Sequence, residues 1–211
     1  MTLDDLIQAT RDLIRDTKMK YLYSDDELVR GLNEAQNRVA TLTNEFVTST
    51  RRLNLEPAID LYPLDSDILT IYGVTLDGYY GRLTPSTEIW TPDGVSLARP
   101  TRYTLDKEQQ TIRFYQIPDQ SYTAILRCTR LPVPLTLDDS GVECEVRAHR
   151  QLMLCDWAAY RCFSTDDADG RNDLAAKQAL LRFNQKINEA KRENYQAVLG
   201  AAPRARGDRI K

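Results

Sequence analysis

A nearly uncharged segment, LMLCDWAAYRCF from Leu152 to Phe163, constrains the fold of this chain more than any other stretch. Only Asp156 and Arg161 carry charge within it. A helix that is apolar on nearly every side has to be buried, so the segment is predicted to be the central helix of the core. A polar turn around Gly170 ends it, and an amphipathic helix follows. The pattern predicts an antiparallel helical hairpin over residues 151–183.

The amphipathic helix of this hairpin is predicted to span about residues 172–199. At 1.5 Å per residue it would be roughly 40 Å long, which is longer than a compact core needs. Its distal turns are polar and are expected to project into solvent or to meet a neighbouring subunit. Its buried stripe consists of Ala176, Leu180, Phe183, Ile187 and Ala190.

Two further helices are predicted within residues 1–50. Thr2 can cap the first, and Asp4 and Asp5 lie in its first turn, where the helix dipole favours acids. Ser24 and Glu27 form a capping box at the start of the second. Apolar residues then repeat at spacings of four and three, which predicts a long helix to about residue 48.

Residues 51–140 have a different texture, with many prolines and glycines and short alternating apolar runs, which is typical of short strands. Residues 106–110 are predicted to form a turn, and residues 118–120 a hairpin turn between two successive strands. The clearest strands are ILTIYGVTL from Ile68, TIRFYQI from Thr111 and SYTAILRCTRL from Ser121. An antiparallel meander or small sandwich is expected here.

The fold class is therefore α+β, and 211 residues with a 42% hydrophobic share suffice for a packed interior. The pair of helices in residues 1–50 and the hairpin in residues 141–199 are expected to form one helical core of about four helices. The β region is inserted between them. Residues 200–211 are expected to trail as a flexible basic arm.

Charge is unevenly distributed along the chain. Residues 200–211 contain four cations and a single acid, Asp208, which gives this segment a charge of +3. The net charge of the chain is −3, so the remaining residues carry −6. Such a tail is either a frayed, solvated terminus or an arm that becomes ordered on an acidic partner. The four cations are Arg204, Arg206, Arg209 and Lys211.

Residues suited to catalysis or metal binding are few. His149 is the single histidine, so a two-histidine zinc site is impossible. The four cysteines match no zinc spacing and lie in apolar pattern, which favours packing. Nucleotide-binding glycine motifs and the GxSxG motif are lacking, so no cofactor is expected. These cysteines are Cys128, Cys144, Cys155 and Cys162.

An acidic turn precedes the last helix, with Asp166, Asp167 and Asp169 before Gly170. Aligned with a calcium loop, it lacks a carboxylate at the first ligand position and a glutamate at the last. A helix end followed by a capped helix start explains it better, with Asp169 or Asn172 as the cap. A carboxylate pair for hydrolysis stays open as an alternative.

Membrane insertion and export are not indicated. No apolar run approaches the roughly 20 residues that span a bilayer, and the amino-terminal residues carry acids where a signal peptide needs cations. The protein is expected to remain in the cytoplasm where it is made. The acidic body also argues against nucleic-acid recognition as a primary function.

A succession of five blocks resembles the head-to-tail adaptor, or connector, proteins of tailed bacteriophages. The resemblance covers about residues 21–190, and its most specific part combines the IRFYQIPD hairpin with the WAAYRCFSTDDAD helix end. The blocks are YLYSDDELVRGLNEAQNRVATLTNEFV, DILTIYGVTLDG, PTRYTLDKEQQTIRFYQIPD, RCTRLPVPLT and LMLCDWAAYRCFSTDDAD.

The resemblance implies a virion protein of the neck without catalytic residues. It implies a ring of about twelve copies under the portal, with a passage for the genomic DNA along its axis and a docking surface for the next tail or nozzle protein. The arm of such adaptors docks on the portal, which would give a portal-binding role to the four cations of residues 200–211. The competing hypotheses are a carboxylate-dependent hydrolase, such as a cell-wall lytic activity carried on a virion, and a ligand-binding module.

Overall fold

The computed structural model describes residues 1–87, 97–139, 143–165 and 172–201, excluding the side chains of residues 47–50 and 196–201. The chain forms two compact units. A helical unit comprises residues 1–45 and the chain from residue 132 onward, and a β unit comprises residues 46–131. The predicted α+β class is confirmed.

Four helices build the helical unit: α1 (Leu3–Ile14), α2 (Asp25–Thr43), α3 (Leu152–Phe163) and α4 (Asp173–Ala201). Capping boxes open the first two, because Thr2 exchanges hydrogen bonds with Asp5, and Ser24 with Glu27. Short 3-10 turns at Leu137–Asp139 and Ala148–Arg150 precede α3.

The predicted end of the second helix at about residue 48 is wrong. Helix α2 stops at Thr43, where Asn44 takes a left-handed conformation with φ 53° and donates its backbone N–H to the carbonyl of Ala40. Asparagine tolerates this conformation, which ends a helix. The chain is already a strand from Val47, although the apolar stripe continues to Phe46.

Helix α3 is the centre of the helical unit, as its apolar sequence predicts. It packs on α1, α2 and α4, and eight of its side chains are buried. The ring of Trp157 lies 5.2 Å from that of Phe183 on α4. Helix α4 buries the predicted stripe except Leu180, which is half-buried, and Ala179 is buried in addition.

In the described part of the β unit, seven strands form two sheets. One sheet has the order β1-β7-β3, and the other the order β2-β6-β5-β4. Pairing is antiparallel except for the short parallel pair of β4 with β5. The strands are β1 (Val47–Leu55), β2 (Leu61–Pro63), β3 (Ile68–Leu76), β4 (Thr84–Pro85), β5 (Arg102–Asp106), β6 (Thr111–Tyr115) and β7 (Tyr122–Arg130).

The predicted turn at residues 106–110 is confirmed, since Asp106 accepts backbone hydrogen bonds from Glu108 and Gln109 between β5 and β6. The predicted hairpin at residues 118–120 is wrong. Strand β6 pairs with β2 and β5, whereas β7 pairs with β1 and β3. Both edges of β7 are therefore occupied, and residues 118–120 carry the chain from one sheet to the other.

An apolar core shared by the two sheets identifies the β unit as a small sandwich. Phe114 and Ile112 on β6 face the same cluster as Val74 on β3 and Leu126 on β7. Tyr62 meets Phe114 edge to face, with 5.9 Å between ring centroids. The alternation of β7, in which every second residue from Tyr122 to Cys128 is buried, is the one-sided pattern expected of a sheet face.

Candidate interaction surfaces

A buried carboxylate joins the two helices of the hairpin. The side chain of Asp156 on α3 is 4% exposed. Its two oxygens accept hydrogen bonds from Nε of Arg182 and Nζ of Lys186 on α4, both at 2.7 Å. The one acid in an otherwise apolar helix is thus neutralised by two cations, which fixes the rotation and the register of α4 on α3.

A second ion-pair network fixes the far half of α4. The guanidinium of Arg150, just before α3, donates to Glu45 at 2.7 Å and to Glu193 at 2.5 Å. Asn194 donates to the carbonyl of Thr43 at 2.8 Å. The hydrogen bond from Arg150 lowers the pKa of the Glu193 carboxyl. The sequence did not reveal this network, because each of these hydrogen bonds joins residues more than 40 positions apart.

Fixed in this way, α4 leaves three large apolar side chains exposed on its outer side, among polar ones. Leu174, Leu181 and Tyr195 are 68%, 60% and 65% exposed, and they share one face because they lie seven or fourteen residues apart. Among the side chains described, the charged ones nearest this row are Lys177 and Arg192. We call these five residues the outer face of α4.

A buried arginine organises the loop between α1 and α2. Arg11 is 3% exposed and pairs with Asp16 and Asp25 at 2.9 and 2.5 Å. Its guanidinium carbon also lies 3.7 Å from the ring centroid of Tyr21. The loop is thereby held in one conformation that leaves Met19 almost fully exposed.

The four cysteines are buried free thiols, which agrees with the packing role predicted for them. Burial raises the pKa of each thiol, most clearly that of Cys162, to about 12. A nucleophilic or metal-binding cysteine needs the thiolate, which a raised pKa disfavours. No group of three or more potential metal-binding side chains occurs among the residues that the structure describes.

Of the remaining site candidates from the sequence, His149 and Asn172 lie within the described residues. His149 is exposed, with Nε2 3.5 Å from Glu193. Asn172 caps α4 by accepting a hydrogen bond from the backbone of Ala175 at 3.0 Å, as one of the two predicted caps. The acidic cluster and the basic arm lie outside the described residues; they comprise Asp166, Asp167, Asp169, Arg204, Arg206, Arg209 and Lys211.

A cleft of about 230 Å³ in the helical unit contains two carboxylates, and both have structural partners. Glu27 closes the capping box with Ser24, whose hydrogen bonds lower the pKa of its carboxyl. Glu34 forms an ion pair with Arg161 at 3.2 Å and accepts a hydrogen bond from the indole N–H of Trp157 at 3.3 Å. A general acid needs a raised pKa, so Glu27 is unsuited to that role.

Among the helices that the structure describes, none combines the length and the hydropathy of a membrane-spanning segment.

Among the described residues, the carboxylates of Glu27 and Asp156 serve a helix cap and a buried ion pair, and the four cysteines are buried. The chain belongs to the SU10 adaptor protein family, whose family model matches residues 1–206. It is therefore a structural adaptor of a bacteriophage, as the resemblance in its sequence indicates. A comparison with curated proteins gives no match.

Proposed function

We propose that the protein is the head-to-tail adaptor of a tailed phage, located in the neck of the virion. About twelve copies form a ring below the portal, complete the DNA-filled head and give the tail or nozzle protein its docking surface. The family match over residues 1–206 carries this proposal. A long, firmly anchored α4 with three exposed large apolar side chains supports it, because a neighbouring subunit can cover them.

Subunit contacts in the ring use the outer face of α4. Isolated leucines on a surface are ordinary, but three large apolar side chains on one side of a firmly anchored helix offer a neighbouring subunit apolar surface to cover. The two ion-pair networks support this assignment, since they anchor α4 from Arg182 to Asn194 while its opposite side stays in solvent. A second copy would bury Leu181 at the middle of the row.

The basic arm docks on acidic grooves of the portal through Arg204, Arg206, Arg209 and Lys211. The +3 balance of residues 200–211 motivates the assignment, because cations of either kind are attracted to carboxylates. Genomic DNA passes along the ring axis without sequence-specific binding, since the acidic body would repel its phosphates.

Complementation of a phage that lacks this gene product tests the proposal. A chain without residues 200–211 should still fold but leave heads without tails, whereas arginine-to-lysine replacements at the three arm arginines should retain most of the function. The wild-type protein should be found in the neck by labelling and electron microscopy. Normal tail attachment with the truncated chain would refute the role of the arm, and wild-type protein found elsewhere in the virion would refute the adaptor role.

A further inference from the structure

The loop between β3 and β4 displays a tyrosine at its tip. Tyr80 is fully exposed, whereas most tyrosines of the β unit are at least half covered. Gly78 and Gly81 flank the two loop tyrosines with φ of 75° and 103°, which glycine adopts without strain. The chain therefore turns sharply on both sides of Tyr79 and Tyr80, and nothing lies within 4 Å of a Cβ built on either glycine.

Aromatic contacts and backbone hydrogen bonds hold this loop in place. The ring of Tyr79 lies 5.8 Å from that of Tyr122, and the guanidinium carbon of Arg99 lies 4.9 Å from its centroid. Backbone hydrogen bonds from Tyr79 to Leu76 at 3.1 Å, and from Leu83 to Val74 at 2.8 Å, close the loop. An exposed side chain on a fixed loop loses little conformational entropy when it binds a partner.

A cleft of about 110 Å³ lies beside the loop, with Leu76 and Leu83 among its apolar residues. Arg82 and Arg99 are its only charged lining residues in the described chain, and none of the described lining residues is acidic. Neither guanidinium has a carboxylate partner among the described residues. Other arginines of the β unit do: Arg52 pairs with Asp77, and Arg113 pairs with Asp60.

We propose that this cleft is a docking site for an acidic segment of a partner protein. The carboxylates of the segment pair with Arg82 and Arg99, and an apolar side chain beside them packs against Tyr80 and the apolar floor. Tyrosine and arginine are the residue types that most often dominate protein interfaces. The site belongs to the β unit alone and does not depend on ring formation or on the basic arm.

The charge of the β unit favours an acidic protein segment over DNA. Residues 46–131 contain nine basic and ten acidic residues, so the unit offers no extended basic track. Duplex binding requires several phosphate contacts along such a track. The two arginines that line this small cleft suit a segment with one or two carboxylates next to an apolar side chain.

Nuclear magnetic resonance titration of the full chain tests the site. The probe is a short capped peptide of alternating glutamate and leucine, and the comparison ligands are the corresponding lysine-leucine peptide and a short DNA duplex. The acidic peptide should shift the amide signals of Gly78, Gly81 and Arg82, and the shifts should diminish with added salt. The double variant R82E/R99E should bind about tenfold more weakly or not at all.

Matched controls separate the cleft from general charge effects. Lys107 is an exposed cation of the same unit that does not line the cleft, so K107E should leave the shifts unchanged. Y80A should weaken binding, whereas Y195A in the helical unit should not. The proposal is overturned if the DNA duplex shifts the same signals at lower concentration, if K107E weakens binding as much as R82E/R99E, or if the acidic peptide produces no shifts at the cleft. Each of these outcomes leaves the adaptor role, which virion labelling tests, unaffected.

Discussion

Oδ1 of Asp156 on α3 lies 2.7 Å from Nε of Arg182 on α4, in an ion pair whose acid is almost completely buried. Lys186 completes the arrangement at the same distance. An acid in the middle of the most apolar helix is acceptable only because α4 supplies both cations. Helix α4 therefore has one rotation about its own axis that allows α3 to be buried, and in this rotation Leu181 points outward.

Replacing Asp156 by alanine should destabilise the protein by about 2 kcal/mol. The cost lies below the 3–5 kcal/mol expected for a fully buried pair, because Arg182 and Lys186 are about 40% exposed and can turn to water. Urea unfolding at neutral pH measures it. The exposed Asp12→Ala variant is the control and should change stability by less than about 0.5 kcal/mol. Equal stabilities of the two variants would contradict a structural role for the pair.

Gly31 on α2 should tolerate only small replacements. A Cβ built there lies 3.2 Å from both Cα and Cβ of Ala158 on α3, so glycine permits the close crossing of these helices. Gly31→Ala gains up to about 1 kcal/mol in helix propensity and loses a comparable amount in this contact. Gly31→Leu should destabilise by about 3 kcal/mol through overpacking. Thermal unfolding measures both, and an unchanged midpoint for Gly31→Leu would show that the crossing is not tight. Asn37→Leu on the exposed side of α2 is the control.

Stability should fall in alkaline solution with a contribution from Cys162. Burial raises the pKa of this thiol from 9.0 to about 12. The unfolded chain therefore loses this proton first, and the stabilisation is complete below about pH 9 and is lost as pH rises towards 12. In urea unfolding across this range, Cys162→Ala should show a shallower decline than the wild type, by up to about 1.4 kcal/mol per pH unit. Parallel declines would contradict the prediction.

Leu181→Glu should weaken self-association by at least about tenfold, because it places a charge at the middle of the row that a second copy is proposed to cover. Sedimentation at increasing protein concentration measures the effect. Gln8→Glu on the exposed side of α1 adds the same charge elsewhere and should leave association unchanged. If both variants associate like the wild type, the ring uses other surfaces.

Local patterns in the sequence predicted most of the elements. The capping boxes at Thr2 and Ser24 locate two helix starts, because a cap and its partner lie only three residues apart. The alternation of β7 and the turn at Asp106 are local in the same sense. The pattern misled at Phe46, where the apolar stripe of α2 continues past its cap, and at residues 118–120, where a good turn sequence connects two different sheets.

The site was less predictable than the fold. The basic arm was visible as a charge imbalance, but the outer face of α4 was not. An amphipathic pattern predicts which stripe of a helix is buried, and it does not predict which of the remaining leucines stay exposed. Arg82 and Arg99 are seventeen residues apart in sequence. Nothing local marks them as neighbours of one cleft, or as arginines that have no carboxylate partner in the described part of the chain.

By itself, the sequence determined that α3 is buried, that two capped helices precede a β region, and that the chain resembles phage adaptors. The first two properties follow from periodicity and capping, which act over a few residues, whereas the third is a resemblance carried by five sequence blocks. Only the tertiary structure decided that β7 lies between β1 and β3, that Arg182 and Lys186 meet Asp156, and that Leu181 and Tyr80 remain exposed. Strand order, ion pairing and exposure depend on which distant segments exclude water from each other, and no short stretch of sequence contains that information.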